Sequence, residues 1–333
     1  MMKYKVLGNT GVLVSELCFG TMTFGNETDE TEAALMFNRC RDVGINFFDC
    51  SNNYNGGRAE IILGKLIGDC RDEVFITSKV SQRVGKDVNA LGSSRRHIML
   101  SIEQSLSRLK TDRIDLYFIH HFDPLTPMDE TLRALDDLVH QGKVLYLGVS
   151  NWAAWQIAKA LGISEKENLA CFKCIEPMYN LLKRQVEVEI LPLAQSEKLG
   201  VISYSPLGAG LLTGKYSNST KLGTGRIVEK KQYSQRYSNP RYYEIAEQFT
   251  NYAQELGVKP GTLAISWIMA NPVITAPIIG ARNVAQLNDS LAAINFHMEP
   301  QILDQITRFS DAPGNATDRS EEELDSTFKL RNS

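Results

Sequence analysis

Val74-Phe75-Ile76-Thr77-Ser78-Lys79, then Ser94–Leu109, then Ile114-Asp115-Leu116-Tyr117-Phe118-Ile119-His120 decide how this chain folds. The outer pieces are short apolar runs rich in β-branched and aromatic residues, which read as buried strands. The middle piece has helical periodicity. The same alternation extends in both directions. Candidate strands are Leu17–Gly20, Ile45–Asp49, Val74–Lys79, Ile114–His120, Val144–Val149, Cys171–Glu176, Val201–Tyr204 and Thr275–Ile279. Helical patterns lie between them at Glu30–Val43, Ala59–Ile67, Ser94–Leu109, Asp129–Gln141, Trp152–Leu161, Gln185–Lys198, Tyr242–Leu256, Thr262–Met269 and Val284–Ala293. The first opens on the acidic Asp29-Glu30 and closes at Gly44, as helices do.

Eight strand–helix units predict an α/β chain folded as a single (β/α)8 TIM barrel over residues 1–333. A doubly wound sheet is the alternative, but it usually needs fewer strands per domain. No strand–GxGxxG–helix fingerprint lies near the start, and no shift of composition marks a second domain. Tyr4–Val14, with the turn-rich Leu7-Gly8-Asn9-Thr10-Gly11, reads as an N-terminal β-hairpin. An extra C-terminal helix is expected, followed by a polar tail at 311–333 that holds Glu321-Glu322-Glu323. The long polar stretch Lys215–Pro240 joins a strand to a helix, and loops of that length often serve as lids.

The bulk properties narrow the function. With 36 basic and 39 acidic residues the net charge is −3, which suggests neither a nucleic-acid nor a membrane-surface partner. No run approaches the ~18 apolar residues of a membrane span, and no signal peptide is expected. The six cysteines at 18, 40, 50, 70, 171 and 174 are too scattered for a disulfide scaffold; they read as reduced, in a cytoplasmic protein. Cys171 and Cys174 form a lone CxxC with no second pair to complete a zinc site. They read as strand residues, and no metal is expected.

Four titratable side chains lie at or near the ends of the apolar runs: Asp49, Tyr54 five residues later, Lys79 and His120. Ends of parallel strands are where α/β enzymes place their chemistry. A lysine at the end of Val-Phe-Ile-Thr-Ser is partly withdrawn from water, and a nearby carboxylate such as Asp49 would hold it charged. An ammonium close to Tyr54 would lower its pKa from ~10 toward ~7–8, a useful range for proton donation. The plainer readings are a structural ion pair and an aromatic in a turn. Side chains alternate along a strand, so only one of His120 and His121 should point into the barrel mouth; parity alone does not say which.

Several motifs together resemble the aldo-keto reductases, in the branch that includes potassium channel beta subunits. They are Leu7-Gly8-Asn9-Thr10-Gly11 leading into Phe19-Gly20-Thr21-Met22-Thr23-Phe24-Gly25; Asp49-Cys50-Ser51-Asn52-Asn53-Tyr54 with Gly57-Arg58-Ala59-Glu60; Thr77-Ser78-Lys79; and Asp115-Leu116-Tyr117-Phe118-Ile119-His120. The resemblance implies an NADP(H)-dependent reductase of small carbonyl compounds, in which Tyr54 donates the proton, Lys79 tunes it, Asp49 holds Lys79, and His120 rather than His121 orients the substrate. It implies that Gly20, Thr21, Met22, Asp49 and Glu176 face the cofactor. Ser150 and Asn151 would meet the carboxamide, and Tyr204 would stack on the ring. Ser205, Pro206, Leu207, Gly208, Gly210, Lys215 and Arg226 would hold the pyrophosphate side. Ile279, Gly280, Ala281, Arg282 and Gln286 would hold the adenine side, with Arg282 on a 2′-phosphate, so NADP(H) is preferred over NAD(H).

The chain departs from the family pattern twice. Glu176 stands where many members have glutamine, and a carboxylate there only accepts hydrogen bonds and must tolerate burial. Ser290 stands where an asparagine is common. Phe24, Tyr54, His120, Phe122, Trp152 and the tail after Asp311 would line an apolar substrate pocket. Two rival readings are a Schiff-base lysine at Lys79 and an NADPH-binding regulatory protein with little turnover.

Overall fold

The computed structural model describes residues 1–216 and 225–317. Its strands are β1 (Tyr4–Val6), β2 (Leu13–Ser15), β3 (Cys18–Gly20), β4 (Phe47–Asp49), β5 (Phe75–Val80), β6 (Ile114–Ile119), β7 (Val144–Ser150), β8 (Phe172–Glu176), β9 (Gly200–Ser203) and β10 (Ala276–Ile279). β1 and β2 pair antiparallel as a hairpin, with Tyr4 opposite Ser15. The other eight close into a parallel barrel in the order β10-β3-β4-β5-β6-β7-β8-β9. The chain is thus a (β/α)8 barrel, and its strand ends fall within two residues of those read from the sequence.

Around the barrel run α1 (Glu30–Asp42), α2 (Arg58–Leu66), α3 (Arg95–Leu109), α4 (Met128–His140), α5 (Ala154–Lys166), α6 (Ile190–Ser196), α7 (Arg226–Glu229), α8 (Lys231–Arg236), α9 (Arg241–Glu255), α10 (Pro260–Met269), α11 (Val284–Leu291) and α12 (Pro300–Phe309). α12 is the expected extra C-terminal helix. The expected helix at 185–198 is broken into a 3-10 turn at Gln185–Glu187 and the shorter α6. Pro192 explains the break: it fits the first turn of α6, but a helix running through it would lose a hydrogen bond and clash with the carbonyl four residues back. α5 instead runs past Gly162 to Lys166, because burial of Ile157, Ala160 and Ser164 on one face outweighs the ~1 kcal/mol that a mid-helix glycine costs. The stretch 215–240 is not a plain loop, since α7 and α8 lie in it; 217–224 fall outside the described residues, as do 318–333 of the expected tail.

Strand alternation splits the core in two. Cys18, Phe47, Phe75, Leu116, Phe118, Cys174, Ile202 and Ala276 fill the barrel interior, joined by Leu7 and Val14 from the hairpin. The residues between them, such as Phe48, Ile76, Tyr117 and Ile175, pack outward against the helices. The hairpin closes the N-terminal end, where Gly8 sits against the backbone of Lys173, Lys198 and Gly200. The opposite end, at the strand C-termini, remains open for a site.

Candidate active site

The interior register continues upward from the apolar layer. Two residues beyond Phe47 comes Asp49, beyond Phe75 and Thr77 comes Lys79, and beyond Cys174 comes Glu176. Period-two alternation therefore places both carboxyl groups and the amine in one layer of the barrel. Lys79 is fully buried and its Nζ forms a salt bridge with Asp49 Oδ1. A second Lys79 bond goes to the Cys50 carbonyl at 3.0 Å. Thr77 Oγ1 donates to the same Asp49 oxygen at 2.5 Å. Glu176 Oε2 lies 3.2 Å from Lys79 Nζ, within ion-pair range, yet it accepts no aligned hydrogen bond.

Burial alone would push the Lys79 pKa down, but its acidic neighbours, Asp49 foremost, outweigh it and hold the ammonium charged. Tyr54 stands beside this group, with Lys79 Nζ 5.4 Å from its ring centroid. Its pKa is not lowered as the sequence suggested. Burial raises it well above the ordinary phenol value; Lys79 pulls it down, while Asp49 and Glu176 push it further up. The Asp49 carboxylate paired with Lys79 already balances its charge, so the ammonium has little left with which to favour a phenolate. Tyr54 therefore rests as a protonated phenol, able to donate. It sits in a tight turn at Tyr54–Gly57. That turn is tied down by Asn55 Nδ2, which donates to the Met22 and Phe24 carbonyls at 2.9 and 2.7 Å.

His120 faces Tyr54 edge-on, with ring centroids 6.1 Å apart. Ser51 Oγ lies 3.2 Å from its Nδ1. Burial, then Lys79 and His121, push its pKa well below the usual histidine value, so the imidazole is neutral. His121 does not point away as alternation predicted. β6 ends at Ile119, so the strand rule no longer applies, and the two imidazoles stack at 5.4 Å. Both line the same cavity.

That cavity is about 700 Å³. At one end are Asp49, Tyr54, His120 and Glu176, with Ser150, Asn151 and Tyr204 beside them. At the other are Lys215, Arg226, Arg282 and Gln286. Hydrogen bonds link the wall between: Tyr204 Oη donates to Asn151 Oδ1 (2.6 Å), Asn151 Nδ2 to Ser150 Oγ (2.9 Å), and Ser150 Oγ to the Glu176 carbonyl (2.9 Å). The stretch between the ends is Ser205–Lys215. Ser205, Gly208, Ala209, Gly210 and Gly214 there adopt left-handed backbone conformations, and bonds from the Gly208, Gly210 and Gly214 N–H groups to the Ser205, Leu207 and Leu211 carbonyls hold the segment as a tightly turned cradle. A Cβ on Gly210 would lie 2.4 Å from Lys215 Cε, so glycine is what lets Lys215 fold over the cradle. The cationic end carries excess charge. Lys215, Arg226, Lys230 and Arg282 are set against Glu27 and Glu229. Burial, then Arg282 and Arg226, lower the Lys215 pKa. An elongated polyanion with a flat ring at one end fits this arrangement.

A family model described as the aldo/keto reductase family matches residues 16–311. The chain belongs to that family. It is 39% identical over 331 residues to an uncharacterized oxidoreductase, YrpG, of Bacillus subtilis, covering 95% of this chain and 98% of that one. It is 35% identical to a probable voltage-gated potassium channel subunit beta of Oryza sativa, over 92% of this chain and 95% of that one. A protein of the same description from Arabidopsis thaliana is also 35% identical, with the same coverage. This aldo/keto reductase is accordingly an oxidoreductase.

Most residues expected at the site do line the cavity of this family member: Gly20, Met22, Asp49, Tyr54, His120, Ser150, Asn151, Glu176, Tyr204, Ser205, Pro206, Leu207, Gly210, Lys215, Arg226, Gly280, Ala281, Arg282 and Gln286. Lys79 lies just beneath it. Thr21, Gly208 and Ile279 are set behind its wall; Thr21 Oγ1 donates to the Asp49 carbonyl at 2.9 Å. Phe24 is fully buried in the outer core, with its ring 5.8 Å from Phe19, and does not reach the cavity. Its strand has ended, and the turn carries its ring into the outer core against Phe19. Trp152 lines a smaller adjoining pocket of about 250 Å³, which shares Asn151, Glu176 and Tyr204 with the main one. Ser51, Asn55, Glu27, Tyr233 and Arg236 were missed from the sequence. Ser51 lies within the tyrosine motif and Asn55 directly after it; Glu27 acts through partners 203 and 255 residues away, and Tyr233 and Arg236 reach the cavity from α8. Among the described residues no group of three His, Cys, Asp or Glu side chains could hold a metal ion, and no helix is long and apolar enough to cross a membrane.

Proposed function

We propose that this oxidoreductase reduces aldehydes or ketones with NADPH, with Tyr54 as general acid. The observation that carries the reading is the placement of a protonated phenol and a neutral imidazole at the end of a cavity whose far end is a glycine-lined cationic cradle. The nicotinamide supplies the hydride. Tyr54 protonates the carbonyl oxygen, and general acid help of this kind is worth roughly 10²–10⁴ in rate. His120, held by Ser51, orients that oxygen. Asp49 and Thr77 fix Lys79 beneath the phenol. Ser150 and Asn151 would bind the carboxamide, Tyr204 the ring face, the 205–215 cradle the pyrophosphate, and Arg282 a 2′-phosphate, which favours NADP(H) over NAD(H). Trp152 would bound the substrate side. The six free cysteines suit a reducing cytoplasm.

The test is NADPH consumption across aldehydes, ketones and sugars, with Tyr54→Phe as control. Turnover that falls at least tenfold in the variant, with nucleotide binding retained, supports the reading. Turnover above about a tenth of the parent value removes Tyr54 as the acid. A second reading, a nucleotide-binding regulatory subunit, draws on the relatives named as channel beta subunits. No turnover with any simple aldehyde would favour it.

A further inference from the structure

The buried layer holds one cation and two carboxyl groups. With every group ionised it would carry a net negative charge out of reach of water, which is costly. One proton relieves it, and the structure indicates where that proton sits. Asp49 Oδ1 accepts from both Thr77 and Lys79. Glu176 Oε2 makes only an unaligned 3.2 Å approach to Lys79 and is otherwise without a partner. Its carboxyl is 4% exposed and forms part of the cavity wall beside Ser150, Asn151 and Tyr204. Burial pushes its pKa up to about 8, with Lys79 pulling down and Asp49 pushing up.

We propose that Glu176 is a specificity-determining residue for the redox state of the cofactor. Its neutral form suits the reduced nicotinamide and carbonyl reduction. Its ionised form places a carboxylate beside the ring, favouring the cationic oxidised nicotinamide and alcohol oxidation as the pH rises. The inference rests on the nucleotide-binding reading above. The charge argument is direct: hydride loss turns a neutral ring into a cation, and an opposite charge nearby favours ionisation of a carboxyl group. The proton given up by Glu176 goes to solvent, so each oxidised nucleotide that binds at a pH near neutrality displaces part of a proton. The groups that face Glu176 are Lys79 and Asp49 from β5 and β4, Tyr54 from the following turn, Tyr204 after β9, and the interior thiols of Cys18 and Cys174. Lys79 stays charged, and burial raises the pKa values of both tyrosines and both thiols. Glu176 is therefore the member of this set poised to change charge between pH 6 and 9.

The experiment measures dissociation constants of NADP⁺ and NADPH at pH 6 and pH 9, by fluorescence titration of the full chain, alongside Glu176→Gln. Both nucleotides carry the same 2′-phosphate, so its own titration cancels in their ratio. The expected result is a preference for NADP⁺ that grows about tenfold across this range, one pKa unit of coupling, and a flat ratio in the variant. Calorimetry in two buffers of different ionisation enthalpy should show proton release with NADP⁺ and none with NADPH. Binding of both nucleotides with a pH-independent ratio in the parent overturns the inference. So does a slope that survives in Glu176→Gln. If the variant does not fold, proton release by the parent decides alone. Failure of either nucleotide to bind at all is a separate result, which overturns the cofactor reading itself.

Discussion

Arg282 donates from Nε to Glu27 Oε2 at 3.0 Å, across 255 residues of chain. The same carboxylate takes Lys230 Nζ at 2.9 Å and Arg226 at 3.5 Å. Glu27, from the turn before α1, therefore ties α7 and its flank to the strand-end that carries Arg282. Any phosphate that pairs with Arg282 must displace or share this partner. Glu27→Gln is expected to tighten NADPH binding about fivefold, since one partly exposed ion pair is worth ~1 kcal/mol, and to leave NADH unchanged. Equal changes for both nucleotides would separate Glu27 from the phosphate site.

Glu27 also sets an acid dependence. Burial lifts its pKa, but Lys230, Arg226 and Arg282 more than offset this and hold it at about 2. A folded value below the unfolded ~4.3 means that the contribution to stability is complete above that range and is lost as pH falls toward 2. In urea titrations Glu27→Gln should be less stable than the parent at pH 6, and the gap should close on acidification.

Arg282→Ala should weaken NADPH much more than NADH, because a guanidinium engages phosphate through charge and paired donors. Dissociation constants for the two nucleotides check this. Parallel losses would place the arginine elsewhere on the ligand.

Lys79→Met leaves Asp49 and Glu176 buried without their cation. Removing one partner from a buried ion pair costs roughly 3–5 kcal/mol. The loss should be larger at pH 9 than at pH 6, because Glu176, held at about 8, takes up a proton at the lower pH but is ionised at the higher with no cation beside it. Urea denaturation at the two pH values measures the difference.

Gly148→Ala would place a Cβ 2.4 Å from Phe118 Cε1 and 2.9 Å from the Cys174 carbonyl. Phe118 is the ring beneath Lys79, with Nζ 5.7 Å from its centroid. Overpacking of this kind costs about 1–3 kcal/mol. Phe118→Leu in the same chain should recover part of it, as read by the denaturation midpoint; no recovery would point to the backbone contact instead.

The sequence by itself determined the barrel, because strand and helix periodicities are local properties of consecutive residues. It also determined which site residues could share a layer: Asp49, Lys79 and Glu176 lie in step with the interior residues Phe47, Phe75 and Cys174, and alternation carries that step to the strand end. Its reach stopped where the strands stop. His121 turns into the cavity and Phe24 away from it because each lies beyond the last strand residue, where turn geometry replaces alternation. The direction of the Tyr54 pKa was likewise undecided by its motif. It depends first on how deeply the closed barrel buries the phenol and then on the charges around it, among them Glu176 from a strand on the far side of the barrel. Charge is read by distance through space rather than along the chain, so the closed barrel alone fixed the balance among Lys79, Asp49 and Glu176, and the pairing of Glu27 with Arg282.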